Sequence, residues 1–182
     1  MNIYFNSLLK TINNSIESLD ESVFDNLCED VVSAIRGGHK VVATGLGKNV
    51  PICEKFEGTM LSLGLDAKFL HTNTAVHGDL GAVKDGDVVI ILSKSGETTE
   101  STYLLELLKK RDVIIWALTF KKDSSLAKNA SKSLIINMDH EGDMWDIVPN
   151  NSTTLYLIVL QAVAITVAKN LGVTLDDFIP LE

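Results

Sequence analysis

The stretch from Asp87 to Glu100 constrains this chain more than any other. Val88 to Leu92 is an unbroken apolar run, the pattern of a parallel strand covered on both faces. Ser93, Ser95, Gly96, Thr98 and Thr99 follow at once, and Tyr103, Leu104, Leu107 and Leu108 then recur at helical spacing. The stretch therefore reads strand, hydroxyl-rich turn, helix. It brings hydroxyls, free backbone N–H groups and a helix N-terminus to one point, which suits an anion, above all a phosphate. Gly96 lets the backbone come close to it. A helix cap by Ser95 explains one hydroxyl; four around a glycine ask for a ligand.

The rest of the chain supplies the frame. Its 182 residues suit one domain, spanning 1–182, with a sizeable core. The formal net charge of -8 argues against a nucleic-acid partner. The basic runs Lys109-Lys110-Arg111 and Lys121-Lys122 read as solvated faces. An acidic protein repels phosphorylated compounds at long range, so a phosphate site here must work through local donors. Cys28 and Cys53 have no metal or redox spacing. The first residues lack the basic and apolar regions of a signal peptide, so a reducing cytoplasm is the expectation.

Taken in order, residues 3–35 read as two helical segments. Leu8, Leu9, Ile12, Ile16 and Leu19 form one stripe. Asp20 or Ser22 caps a second helix carrying Val23, Leu27, Val31, Val32 and Ile35, which ends at Gly37-Gly38. Strands are expected over 40–44, 67–70, 88–92, 113–118 and 133–136, with helices over 50–63, after Thr98 and from Ser124 or Ser125. Residues 71–81 read as irregular. Residues 137–151 form a long acidic loop in which Trp145, Ile147 and Val148 suggest packing. A long apolar helix from Ser152 to Leu171, its apolar stretch broken by Gln161 and Thr166, is too short and too interrupted for a membrane span and reads as buried, between the sheet and a second subunit. Alternating strands and helices make the class α/β with a parallel sheet of about five strands. Ligands of such sheets bind beyond the carboxyl ends of the strands, where the polar turns at 45–48, 71–81, 93–98 and 137–152 all open.

Gly45-Leu46-Gly47-Lys48 fits neither nucleotide motif. A dinucleotide fingerprint needs a glycine where Val50 stands, and a P-loop needs a longer glycine spacing and a hydroxyl after the lysine. What remains is a tight turn with one cation, Lys48, at a strand end. His77-Gly78-Asp79-Leu80-Gly81 places a histidine that titrates near neutrality between glycines, or is simply a turn capped by Asp79. Glu97 reads as a first-turn carboxylate favoured by the helix dipole, and Glu141 as a solvated charge. His71, His77, His140, Glu141 and Asp143 show no recognised metal spacing.

With these motifs assembled, the chain resembles the sugar isomerase (SIS) domain family, over about Lys40 to Phe178. The Ser93-Lys94-Ser95-Gly96-Glu97-Thr98 motif is typical of that family. The His77-Gly78-Asp79-Leu80-Gly81 motif points within it to the arabinose-5-phosphate isomerase group. Pro149-Asn150-Asn151-Ser152-Thr153-Thr154 and the Gly45 to Lys48 turn add to the likeness. Two features depart from that group. Asp143-Met144-Trp145-Asp146 replaces its cysteine-proline-leucine-glycine run, and the chain stops at Phe178-Ile179-Pro180-Leu181-Glu182 where a histidine-proline-glycine-glycine tail and paired regulatory domains are usual.

The resemblance implies a flavodoxin-like, five-stranded parallel sheet between helices, and a homotetramer with sites at subunit contacts. It implies phosphate held by Ser93, Ser95 and Thr98, with Ser152 and Thr153, and active-site positions at Lys48, His77, Glu97 and Glu141. The expected function is cofactor-independent aldose–ketose isomerisation of a phosphorylated sugar, with D-arabinose 5-phosphate and D-ribulose 5-phosphate the first choice and no metal. A non-catalytic phosphosugar-binding regulator and an isomerase of another phosphosugar, such as a hexulose phosphate, are the alternatives.

Overall fold

The computed structural model describes residues 3–178. Residues 179–182, which stand where the histidine-bearing tail is usual, lie outside the described residues. In chain order the elements are α1 (Ile3–Glu17), α2 (Glu21–Arg36), β1 (Val41–Gly45), α3 (Val50–Ser62), β2 (Ala67–His71), α4 (Thr72–Ala75), β3 (Val88–Leu92), α5 (Thr99–Leu108), β4 (Ile114–Thr119), α6 (Ser125–Asn129), β5 (Lys132–Ile135), α7 (Asn151–Leu171) and α8 (Leu175–Phe178). Single 3-10 turns occupy Gly47–Asn49 and Asp79–Ala82.

All five strands are parallel, in the order β2-β1-β3-β4-β5. The central strand β3 has every residue buried, and its alternation divides the core in two. Val88, Ile90 and Leu92 face one cluster with Leu27, Val31, Phe56, Tyr156 and Val163, drawn from α2, α3 and α7. Val89 and Ile91 face the other with Leu104, Leu105, Leu108 and Leu126, drawn from α5 and α6. A strand with helices on both sides has no solvent face, which is why Val88 to Leu92 carries no polar alternation.

Local signals set the helix ends. Asp20 accepts from the N–H groups of Ser22 (3.0 Å) and Val23 (3.2 Å) and caps α2. Gly172, at φ +77°, closes α7 through N–H bonds to Ala168 and Lys169. Contrary to the expectation that it is too short and too interrupted, α7 is by length and composition apolar enough to cross a membrane. Here Leu155, Tyr156, Val159, Leu160, Val163 and Val167 are buried, and the helix packs on α2 and α3 as part of the core.

The structure corrects four local expectations. Residues 71–81 contain the one-turn helix α4, because the His71 ring accepts from the Asn73 N–H at 3.2 Å and starts the turn. Leu9 in α1 is 59% exposed, so the expected stripe is narrower than its spacing suggests. Asp79 caps nothing; Gly78, at φ +130°, precedes the turn instead. Beyond Met138, which packs on the core, the 137–151 loop is not held by its apolar side chains: Met144, Trp145, Ile147 and Val148 are all exposed. Its shape comes from carboxylates. Asp143 accepts from the N–H groups of Trp145, Ile147 and Val148, and Asp146, at φ +57°, accepts from the N–H of Glu141. Backbone donors bound inward leave the apolar side chains pointing out.

Candidate phosphosugar site

The chain leaves β1 to form β2 on one side and returns to form β3 on the other, so the sheet's switch point lies between β1 and β3. The loops leaving these two strands diverge there and open a crevice. A cleft of about 430 Å³ lies at that place, lined by Leu46 and Asn49 after β1, by Ser93, Lys94, Ser95 and Thr98 after β3, and by Lys121 after β4. Asn49 Nδ2 donates to the Leu92 carbonyl at 3.3 Å and ties the two loops together.

The hydroxyl turn is a built structure. Ser93 Oγ accepts from the Gly96 N–H at 3.1 Å and shares a 2.9 Å hydrogen bond with Thr98 Oγ1. Ser95 Oγ accepts from the Glu97 N–H at 3.1 Å. Gly96 sits at φ +64°, and a Cβ there would collide with Ser124 Oγ. Backbone acceptors hold the turn against the loop after β4. Lys94 O accepts from Phe120 N (3.2 Å) and Thr119 Oγ1 (3.1 Å), and Gly96 O accepts from Leu126 N (3.0 Å).

The N-cap of α5 is Thr98, not Ser95, and its hydroxyl is turned to Ser93 and makes no cap bond to its own helix. The first-turn N–H groups of α5 thus have no side-chain cap beside the serine hydroxyls, the condition for anion binding at a helix N-terminus. Ser101, in the same first turn, also lines the cleft. It is 1% exposed, and among the described residues its Oγ is the buried side-chain polar atom with no hydrogen-bond partner.

Behind the turn lies a second polar cluster. Glu141 is fully buried. Its Oε1 meets Lys94 Nζ at 2.6 Å and accepts from Ser152 Oγ at 2.6 Å; its Oε2 accepts from the N–H groups of Ser152 (2.9 Å) and Asn150 (3.0 Å). A carboxylate from the acidic loop therefore caps α7 and grips the cradle lysine. Burial alone pushes its carboxyl up, but Lys94, the Ser152 hydroxyl and the two N–H donors together outweigh burial and hold it below the ordinary 4.5. It is not the solvated charge its sequence context suggests.

The other expected residues are placed as follows. Glu97 lies before α5 rather than in its first turn, and its carboxylate accepts from the Ser125 N–H at 2.7 Å, at the start of α6. That bond, the Ser125 hydroxyl and Lys128 hold its carboxyl low. Ser152 is buried against Glu141, and Thr153 Oγ1 donates to the Asn150 carbonyl at 2.9 Å; neither lines the cleft. Lys48, in the 3-10 turn after β1, and His77, after α4, stand beyond the same carboxyl edge of the sheet and are not among the cleft's lining residues. No group of three or more His, Cys, Asp or Glu side chains that would hold a metal ion occurs among the described residues.

Lys94, Asn49, Ser101 and Lys121 line the cleft although the sequence did not single them out. Lys94 was legible inside the motif and Asn49 follows Lys48 directly; Lys121 stood in a basic run read only as a solvated face, and Ser101 had no local signal.

The SIS-domain profile matches residues 34–166. The chain belongs to the SIS-domain family. Among curated relatives, this SIS chain is 34% identical over 170 residues to the arabinose 5-phosphate isomerase KdsD of Francisella tularensis, covering 93% of the chain and 52% of that protein. It is 38% identical over 139 residues to KdsD of Escherichia coli K12, covering 76% of the chain and 42% of that protein. The chain thus spans about half the length of the curated relatives it matches. Among solved structures, Escherichia coli CFT073 c3406 in complex with arabinose 5-phosphate superposes with a TM-score of 0.89 at 36% identity, covering 96% of this chain and 91% of that one. The Vibrio vulnificus NanR protein complexed with ManNAc-6P shares the fold alone, at 16% identity and a TM-score of 0.81, covering 99% of this chain and 67% of that one.

Proposed function

We propose that the chain is a phosphosugar aldose–ketose isomerase, with D-arabinose 5-phosphate and D-ribulose 5-phosphate as its pair. The observation that carries this reading is the hydroxyl turn at the β1/β3 switch point, with an uncapped helix N-terminus and a partnerless buried hydroxyl beside it. The 36% identity to c3406, solved with arabinose 5-phosphate, over nearly the whole chain supports the sugar assignment.

In this reading Ser93, Ser95 and Thr98, with the N–H groups of α5, hold the phosphate, and Ser152 and Thr153 support them from the start of α7. Phosphate binding supplies energy remote from the reacting carbons. A base removes the proton from the carbon beside the carbonyl, a cis-enediolate forms, and the proton returns to the neighbouring carbon. His77 and Glu141 carry the proton transfers, each class of group contributing about 10²–10⁴-fold. Lys48 stabilises negative charge developing on oxygen. Glu97, fixed by Ser125, orients a substrate hydroxyl. The reading takes the chain as one SIS domain over 1–182, acting as a cytoplasmic homotetramer without cofactor. The exposed apolar side chains of Ile3, Phe5 and Leu9 on α1 and Ile165 on α7 support a buried subunit contact.

The test is a coupled assay for ketose formation from arabinose 5-phosphate and a panel of other aldose phosphates, with and without chelator. Chelator-resistant turnover of one substrate, lost in His77→Ala, supports the reading. No turnover on the panel, with thermal stabilisation by one phosphosugar that Ser95→Ala removes, would make the chain a binding module. That second reading keeps one support in the structure, since Glu141 is engaged by four donors before any sugar arrives.

A further inference from the structure

The cradle has a cation that neither its hydroxyls nor the expected catalytic set includes. Lys94 is the second residue of the hydroxyl turn, it lines the cleft, and its side chain is 41% exposed although its Nζ lies 2.6 Å from a fully buried carboxylate. An ammonium has three donors, and Glu141 is the hydrogen-bonding partner that Lys94 Nζ has among the described residues. Lys94 lines the same cleft as Ser93, Ser95, Thr98 and Ser101, whose hydroxyl has no partner among the described residues. A phosphate carries more charge than one carboxylate, and Lys94 is partly exposed in the cleft, so a phosphate entering there would compete with Glu141 for it. Glu141 can yield without becoming a buried orphan. It retains Ser152 Oγ and the N–H groups of Ser152 and Asn150, at the N-terminus of the 21-residue helix α7.

We propose that Lys94 is a phosphate-binding cation of the cradle and is shared: it holds Glu141 until phosphate enters, then turns to the phosphate and releases its hold on the Glu141 carboxylate. Lys94 is thereby a binding residue for the phosphoryl group and a positioning residue for Glu141. Phosphate occupancy of the cleft is coupled to the release of the carboxylate buried behind it, and an unphosphorylated sugar leaves Glu141 locked. The use made of Glu141 rests on the isomerase reading; the contact between Lys94 and phosphate does not.

The test is calorimetric titration of inorganic phosphate into the full chain and its variants at constant ionic strength. Removing a charge-assisted hydrogen bond in Lys94→Gln is expected to weaken binding about 10- to 100-fold, and Lys94→Arg to restore most of it. Glu141→Gln, which removes the competitor but keeps an oxygen acceptor for α7, is expected to bind phosphate several-fold more tightly. Wild-type affinity in Lys94→Gln overturns the proposal, and unchanged or weaker binding in Glu141→Gln overturns the sharing. Should Glu141→Gln not fold, the carboxyl ¹³C resonance of Glu141 decides that half: it moves on phosphate addition in wild type and not in Lys94→Gln, or the sharing is wrong. The isomerase reading fails separately. Lys94-dependent phosphate binding without ketose formation from any aldose phosphate sinks that reading and leaves this contact standing.

Discussion

Gly96 is the residue at which the cradle tolerates least change. Its φ of +64° is a conformation L side chains rarely adopt, and a Cβ would run into the Ser124 hydroxyl and lie 2.5 Å from Ser124 Cβ. Ser124 is buried and caps α6, so it has little room to retreat. Gly96→Ala is expected to cost on the order of 3 kcal/mol, lowering Tm by roughly 10 °C at about 2–4 °C per kcal/mol for a chain of this size. Calorimetry that found Tm unchanged would mean the turn is looser than described. The cysteines behave oppositely to a reactive pair. Burial, with Asp25 and Glu29 adding to it, pushes the Cys28 thiol up to about 12, and burial with Glu54 pushes Cys53 further. Both stay protonated at neutral pH. A chromogenic disulfide reagent should react with the two thiols of the chain only after denaturation; rapid labelling of the native protein would contradict the burial.

At the scale of elements, the junction of the acidic loop with α7 should set the acid limit of the fold. The Glu141 carboxyl is held below 4.5 in the folded chain. A carboxyl whose pKa falls on folding stabilises the native state above its unfolded value, and that stability is lost as pH falls through the folded value. The Tm gap between wild type and Glu141→Gln should therefore be open at pH 7 and close below about pH 4. A gap independent of pH would place the cost of the substitution in packing and not in charge. The elements differ in how far sequence alone exposes them. The strands were readable because β3 and β4 are buried on both faces and carry no polar alternation, and the turn after β3 because hydroxyls crowd one glycine, although only Ser93, Ser95 and Thr98 of the four line the cleft and Thr99 does not. The loop from 137 to 150 was not readable. Its order comes from Asp143 and Asp146 binding backbone N–H groups, and such local capture has no period. Glu141 looked solvated for the same reason: its partner Lys94 precedes β4 and β5 in the chain, and only the sheet order brings the two together.

At the scale of the molecule, an acidic chain gathers hydroxyls and two lysines around one cleft at the switch point and leaves apolar side chains on α1, on the acidic loop and at Ile165 of α7 facing outward. If these faces join subunits, light scattering after gel filtration should give about four times 19.8 kDa, and Phe5→Asp with Leu9→Asp should shift the mass downward while leaving each chain folded. A monomeric wild type would remove the tetramer and any site completed across it. Whether this cradle presents an aldose phosphate for isomerisation is decided by proton NMR. Arabinose 5-phosphate is incubated with the full chain in D2O and its spectrum followed with time. The C2 proton signal should decay as ketose signals grow, with neither change in His77→Ala nor for unphosphorylated arabinose. A spectrum that stays that of arabinose 5-phosphate, while the same sample shows the sugar bound, would contradict it.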